Sequence, residues 1–200
     1  MELLRTLLFV PGNRQKMIEK ARHLHADALV LDLEDSVPMS EKASARAQVR
    51  DSLPELTQQG AAGVERKGRK VFVRINSLDS GLAEEDLEAV ITSDIDGINQ
   101  PKPAAGIDIK EIAAIIERLE RERGITAGYI KLIPWVETAR ALIHAFDIAS
   151  ASPRVVGISF GAEDFTLETG ITRTEDGSEL LYPRTIVVIA AKAANVIPID

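Results

Sequence analysis

Carboxylates recur at one kind of place in this sequence, just past short apolar runs. Residues 130–135 are followed by Glu137, residues 155–160 by Glu163 and Asp164, and residues 28–33 by Glu34 and Asp35. Runs of this length, rich in branched side chains, read as buried parallel strands. Between the first two, residues 138–151 carry Ala141, Leu142, Ala145, Phe146, Ile148 and Ala149 at helical spacing. Residues 130–164 therefore form one β-α-β unit, and parallel neighbours bring the two acidic strand ends to one rim. Carboxyl ends of parallel strands are where α/β folds place ligands and divalent metals. Two hard oxygen donors from different strands, with positions left for water and substrate, suit Mg²⁺.

The rest of the chain supplies further units of the same kind. Residues 5–10 read as a strand stopped by Pro11-Gly12-Asn13, with Arg14 just beyond the turn. A helix over 15–25 leads to the strand at 28–33, and an amphipathic helix over 40–53 opens with Ser40 as N-cap. Residues 58–70 are polar and glycine-bearing, a loop or helix tail. A third strand spans 71–76 with Arg74 near its end, then come a helix over 82–92 and a weak fourth strand at 97–99. A helix over 107–123 has Ile109, Ile112, Ala113, Ile116 and Leu119 on one stripe. After the sixth strand, 179–194 reads as a helix and 196–199 as the start of a seventh strand. This alternation means a parallel sheet flanked by helices. Polar groups at the ends of many strands favour a (β/α)₈ barrel over a doubly wound sheet, whose site concentrates at one switch point. A complete barrel takes about 250 residues. The expectation is one α/β domain over residues 1–200, a TIM (β/α)₈ barrel lacking its last one to two βα units.

Composition narrows the function classes. The formal net charge is −7 over 200 residues and no basic stripe is present, which disfavours nucleic acid as a partner. Zero cysteines remove disulfide, zinc-thiolate and thiol-nucleophile chemistry. Neither a leader-like segment nor an apolar run of membrane-spanning length is visible, so the expectation is a cytoplasmic protein. No G-x-G-x-x-G or P-loop follows a strand. His23, His25 and His144 fall on helix patterns without metal-ligand spacing and are read as structural. Trp135 ends an apolar run and is read as packing.

The segments L-L-F-V-P-G-N-R (7–14), D-A-L-V-L-D-L-E-D-S-V (27–37), E-K-x-x-A-R (41–46), V-R-I-N (73–76), P-K (101–102), V-E-T-A-R (136–140) and G-A-E-D-F (161–165) occur in this order. Together they resemble the HpcH/HpaI aldolase–citrate lyase family, in its citrate lyase β-like branch. That resemblance implies a TIM-barrel, Mg²⁺-dependent carbon–carbon lyase acting on citryl, malyl or citramalyl thioesters. The thioester is carried on coenzyme A or an acyl carrier protein, and a 2-keto acid is released. It also implies association with other citrate lyase subunits, or as trimers and multiples of three. Glu137 and Asp164 match the family's metal carboxylates, and Arg74 its substrate-polarising arginine. Glu34 and Asp35 match the acidic pair beside the metal's waters. Gly161, Ala162 and Glu163 match a segment whose backbone N–H groups hold the keto acid's carboxylate. Arg14, at a strand tip, is a candidate contact for the carrier's phosphates. Gln100 and Pro183 depart from the family pattern. The family's final strands, C-terminal helices and a catalytic aspartate that reaches a neighbouring subunit have no counterpart in residues 1–200. Three alternatives stand beside the thioester lyase: a free-acid aldolase, a thioester hydrolase, and a non-catalytic chain that binds metal and keto acid or docks in a lyase complex. The histidines' helical placement argues against the aldolase.

Overall fold

The computed structural model describes residues 4–57 and 69–200. Most of the stretch read as a loop or helix tail, residues 58–68, lies outside the described residues. Seven strands form one sheet: β1 (Leu7–Pro11), β2 (Ala28–Asp32), β3 (Lys70–Arg74), β4 (Gly97–Gln100), β5 (Lys131–Val136), β6 (Gly157–Phe160) and β7 (Ile197–Ile199). Every neighbouring pair is parallel, and the order across the sheet is the order in sequence. The helices are α1 (Gln15–Ala21), α2 (Lys42–Thr57), α3 (Ala83–Val90), α4 (Gly106–Glu122), α5 (Ala139–Ile143), α6 (Ala145–Ser150), α7 (Ala162–Thr169) and α8 (Leu181–Ala193).

The sheet is curled. Phe9 on β1 and Trp135 on β5 meet edge to face with ring centroids 5.3 Å apart. In a flat sheet those strands would be about 19 Å apart, four steps of roughly 4.8 Å. Curling divides the apolar side chains into two sets. Ala28, Val30, Phe72 and Ile133 pack inside the curl with Leu7, Phe9, Trp135 and Ile199. The alternate positions, among them Leu29, Leu31, Val71, Val73, Ile98 and Leu132, face outward into the helices and form the larger core. That period of two is why the strands read as continuous apolar runs: both faces are covered. Gly97 lets β4 lie close against its neighbours, since a Cβ there would lie 2.7 Å from the Phe72 ring and 2.5 Å from the Lys131 carbonyl.

The expectation of an incomplete barrel is met in part: the sheet is parallel and curled like a barrel wall, and it is not closed. Among the described residues no ladder joins β7 to β1, so the sheet is an open, curled one, and closure takes eight strands. Several helix boundaries also differ. The single helix read over 138–151 is two, because the backbone leaves the helical region at His144 (φ −97°, ψ 15°). There α6 is drawn against the start of α4, where Gly106 packs on the Asp147 carbonyl. Ser40 is not an N-cap: Pro38 starts a 3₁₀ turn over Met39–Glu41 that takes the place of the first helical turn. The helix then runs on through Pro54 to Thr57. α1 ends at Ala21, which leaves His23 and His25 in the loop before β2, at the opposite end of the sheet from the strand tips. Residues 162–169, unassigned in the sequence reading, are helical. Gly161 precedes the helix, Glu163 and Asp164 fill its first turn, and Gly170 ends it at φ 70°.

A buried polar network fixes the strand tips to the outer helices. Asp86 of α3 is fully buried and accepts from Arg46 Nε (2.6 Å), the Asn76 amide (2.7 Å) and Asn76 Nδ2 (2.6 Å). Asn76 Nδ2 also donates to the Leu33 carbonyl, and Lys42 Nζ donates to the carbonyls of Leu33 and Glu34 at 2.7 Å each. The polar residues of E-K-x-x-A-R and V-R-I-N thus clamp the acidic turn after β2. Asp86→Ala leaves the Asn76 amide and Nδ2 without this acceptor and Arg46 with Glu85 alone, and we expect a loss of about 2–4 kcal/mol. It should register as a lower urea midpoint at unchanged slope. Glu84→Ala, which breaks only an exposed pair with Arg118, should stay within about 0.5 kcal/mol of the parent.

Candidate active site

The register of the inner face sets the floor of the rim. Pro11, Asp32, Arg74, Asn99 and Ile133 lie at one level across β1 to β5, one repeat above the apolar level of Phe9, Val30 and Phe72. Asp32 and Arg74 are direct neighbours. Arg74 Nε and Nη2 each donate to the Asp32 carboxylate at 2.7 Å, a two-pronged ion pair that is almost wholly buried. Burial pushes the Asp32 carboxyl up, but the guanidinium and the Ser36 and Glu34 contacts outweigh it and hold the acid below its ordinary value. Asp32 also accepts from the amides of Glu34 and Ser36, shaping the turn that presents Glu34 and Asp35. The third arm, Arg74 Nη1, lies 3.1 Å from Glu34 and 3.5 Å from Asp35. The guanidinium sits 5.1 Å above the Phe9 ring, so an aromatic floor supports it from below.

Lys102, just after β4, bridges the rest. Its Nζ lies 2.7 Å from Glu34, 2.8 Å from Asp164 and 3.4 Å from Asp35, and its amide donates to Glu137 Oε2 at 3.2 Å. Side chains from the ends of β2, β3, β4 and β5 and the start of α7 therefore converge. Asp32, Glu34, Asp35, Glu137 and Asp164 meet two cationic groups, Arg74 and Lys102. Glu137, only 4% exposed, carries the consequence. Burial first, then the negative charges of Glu34 and Asp164, push its carboxyl up to about 7. Burial likewise lifts Glu34, against the pull of Lys102 and Arg74. Gly161 lies directly against Glu137: a Cβ at that position would come within 2.6 Å of Oε1 and closer still to Cγ. Glycine there keeps the carboxylate on the rim.

An excess of hard, negatively charged oxygens around a buried carboxylate fits a small divalent cation. Glu137 and Asp164 would hold it. Among the described residues no three acidic or histidine side chains converge into a complete cage. Two carboxylates with water in the remaining positions is the coordination Mg²⁺ prefers.

Of the residues picked from sequence, Glu34, Asp35, Arg74, Glu137, Gly161 and Asp164 are brought together. Ala162 and Glu163 open α7 beside them, with first-turn N–H groups that have no partner inside the helix, whereas the Gly161 N–H, expected to join them, donates to the Val136 carbonyl at 2.9 Å and is not free for a ligand. The Glu163 side chain is 88% exposed and turns away to Arg173 at 2.6 Å, so only its backbone faces the site. Arg14 is exposed at the end of β1 and outside the carboxylate cluster. Trp135 packs as expected, and His144 sits outside near Asp147. The sequence reading undervalued Lys102 and missed Asp32. Asp32 was legible, because it ends a strand at the same inward parity as Arg74. It also missed Asn99, Ser159 and the Trp135 Nε1–H, buried polar groups of the inner face with no hydrogen-bond partner among the described residues.

Residues 5–200 match the family described as HpcH/HpaI aldolase/citrate lyase. The citrate lyase subunit beta of Leuconostoc mesenteroides subsp. cremoris is 36% identical over 198 residues, 99% of this chain and 63% of that protein. The human mitochondrial citramalyl-CoA lyase is 34% identical, over 98% of this chain and 58% of its own length. The chain thus spans less than two thirds of these curated relatives. Among solved structures, the citrate lyase beta subunit of M. tuberculosis complexed with oxaloacetate and magnesium superposes with a TM-score of 0.71. It is 27% identical, and the match covers 99% of this chain and 79% of that one. The ordered motifs, the parallel curled sheet and the acidic rim agree with these matches, and the chain belongs to the HpcH/HpaI aldolase/citrate lyase family.

Proposed function

We propose that this chain forms the greater part of a (β/α)₈-barrel, Mg²⁺-dependent carbon–carbon lyase. Its substrate is a 3-hydroxyacyl thioester of the citryl, malyl or citramalyl type, on coenzyme A or an acyl carrier protein. The observation that carries the reading is Glu137, a buried carboxylate pushed up to about 7 beside Asp164, at a rim where negative charge exceeds positive. The relatives' names and the oxaloacetate–magnesium complex support the same chemistry.

In the cleavage direction the hydroxyl gives up its proton to a general base, and its carbon becomes the carbonyl of the departing 2-keto acid. The electron pair of the broken C–C bond passes to the thioester fragment, which leaves as an enolate and takes up a proton. Mg²⁺, when bound by Glu137 and Asp164, supplies Lewis-acid polarisation of the oxygens at the reacting carbon. Arg74 supplies fixed positive charge. Asp32 holds two of its donors and Phe9 its face, so the guanidinium is oriented before substrate arrives and needs no reorganisation. Glu34 and Asp35, beside Arg74 and Lys102, would accept hydrogen bonds from water on a bound metal. The first-turn amides of α7, at Ala162 and Glu163, point their partial positive charge at the keto acid's carboxylate. Gly161 lets that helix start close against Glu137. Arg14 stands on the same rim, one strand from the acidic turn, within the reading as a contact for the carrier's phosphates.

The reading includes one domain over residues 1–200, a cytoplasmic setting, and assembly with copies or with other lyase subunits. Leu181, Tyr182 and Ile189 of α8, each more than half exposed, support the assembly. Among the described residues no helix is long and apolar enough to cross a membrane.

Calorimetric titration with oxaloacetate tests the site. We expect binding that requires Mg²⁺ and is lost in Asp164→Ala; binding indifferent to Mg²⁺, or absent from the folded chain, overturns the reading. A second expectation concerns pH. The Glu137 carboxyl lies above its ordinary value when folded, so its contribution favours the metal-free fold below about pH 4.5 and is lost as pH rises through about 7. In chelator at pH 8, Glu137→Gln should therefore be more stable than the parent by up to about 3 kcal/mol, a gap that closes towards pH 5. Equal stability at both pH values would show that Glu137 is not held protonated by its surroundings.

A further inference from the structure

Lys102 is held in an unfavourable backbone conformation. Its φ is 51°, in the left-handed region, where among the described residues the only other non-glycine is Asn195. An L-residue with a long side chain loses roughly 1–2 kcal/mol there. The following Pro103 adds to the cost, because a residue before proline is pushed towards extended backbone. Such a conformation persists only where the surroundings over-determine it. Here the contacts are evident. The turn aims the Lys102 amide at Glu137 and its ammonium between Glu34 and Asp164. The ammonium is partly withdrawn from water, yet these carboxylates outweigh burial and hold its pKa above the usual value.

We infer that Lys102 is the resident counter-cation of the rim and competes with the divalent cation for Asp164. The inference rests on the reading of Glu137 and Asp164 as the metal carboxylates. With no divalent ion, Glu34, Asp35 and Asp164 are neutralised in part by one ammonium, which keeps mutually repelling carboxylates at hydrogen-bond range. A dication bound to Asp164 takes that carboxylate from Nζ. The ammonium then remains with Glu34 and Asp35, the acidic pair it already touches. Metal occupancy is in this way tied to the turn after β2 through one side chain. Lys102 is a positioning residue: it sets the charge and spacing of the site and need not touch substrate.

The test uses Mg²⁺ alone, with the whole chain, in two variants. Lys102→Met removes the charge and keeps the strained backbone. Lys102→Gly removes both charge and strain, and should fold even if the first does not. In both, Mg²⁺ should bind tighter than in the parent, by roughly five-fold or more in calorimetry. In chelator Lys102→Met should melt lower than the parent, and saturating Mg²⁺ should narrow the gap, since a ligand that binds only the folded state stabilises it by mass action. Equal or weaker Mg²⁺ binding in a folded variant, alongside binding by the parent, overturns the competition and leaves the proposed function standing. No Mg²⁺ binding by the parent or either variant overturns the metal reading, and this inference with it.

Discussion

Repulsion among carboxylates is the constraint that the structure depends on most. Glu34, Asp35, Glu137 and Asp164 are brought to one rim, with Asp32 beneath them, and Asp32, Glu34 and Glu137 are buried where charge is poorly screened. Everything nearby answers to that crowding. The Arg74–Asp32 pair neutralises one acid and orients a cation in the same contact. Lys102 is bent into a disfavoured conformation to reach three others. Lys42 and Asn76 hold carbonyls of the acidic turn so that it cannot relax outward. These groups stabilise the fold little by themselves, because desolvation offsets much of the attraction in buried ion pairs. Their work is to hold like charges where the polypeptide alone would spread them.

The parallel sheet makes this concentration possible. In-register neighbours place inward residues at common levels, so a polar level can sit directly above an apolar one. Below, Phe9, Val30 and Phe72 fill the curl with close packing. Above, Asp32, Arg74 and Asn99 bring groups that need partners. On β2 and β3 the switch happens within two residues. Outside, the helices bury the alternate positions and anchor the tips through Asp86, whose three hydrogen bonds connect α2, α3 and the end of β3.

Much of this was legible in the residues. The strands announced themselves as apolar runs, and the acids after them marked the rim, because period-two burial and terminal carboxylates are local patterns. Glu34, Asp35, Arg74, Glu137 and Asp164 were each visible as a charged group at a strand end. What escaped depends on long-range geometry. Lys102 gains its place from a left-handed turn between two prolines, which leaves no periodic trace. The break at His144 follows from packing of α6 on α4, against a hydrophobic pattern that continues unbroken. Asp32 lay inside an apolar run and was counted with the strand, although its parity with Arg74 carried the information. Helix α7 was overlooked because residues 161–165 were read only as a loop motif past the strand end.

The edge-to-face contact of Phe9 with Trp135 divides the space inside the curl. The two rings, with Phe72 and Ile133 beside them, form an apolar layer between the rim above and the mouth below, where Leu4, Phe72, Val156 and Ile197 meet Lys70, Asp96 and Lys131. With the Phe9 ring against its guanidinium, Arg74 has its counter-charges, Asp32, Glu34 and Asp35, on the rim side of that layer, while Lys70 and Asp96 pair below it, so each end of the sheet balances its own charge.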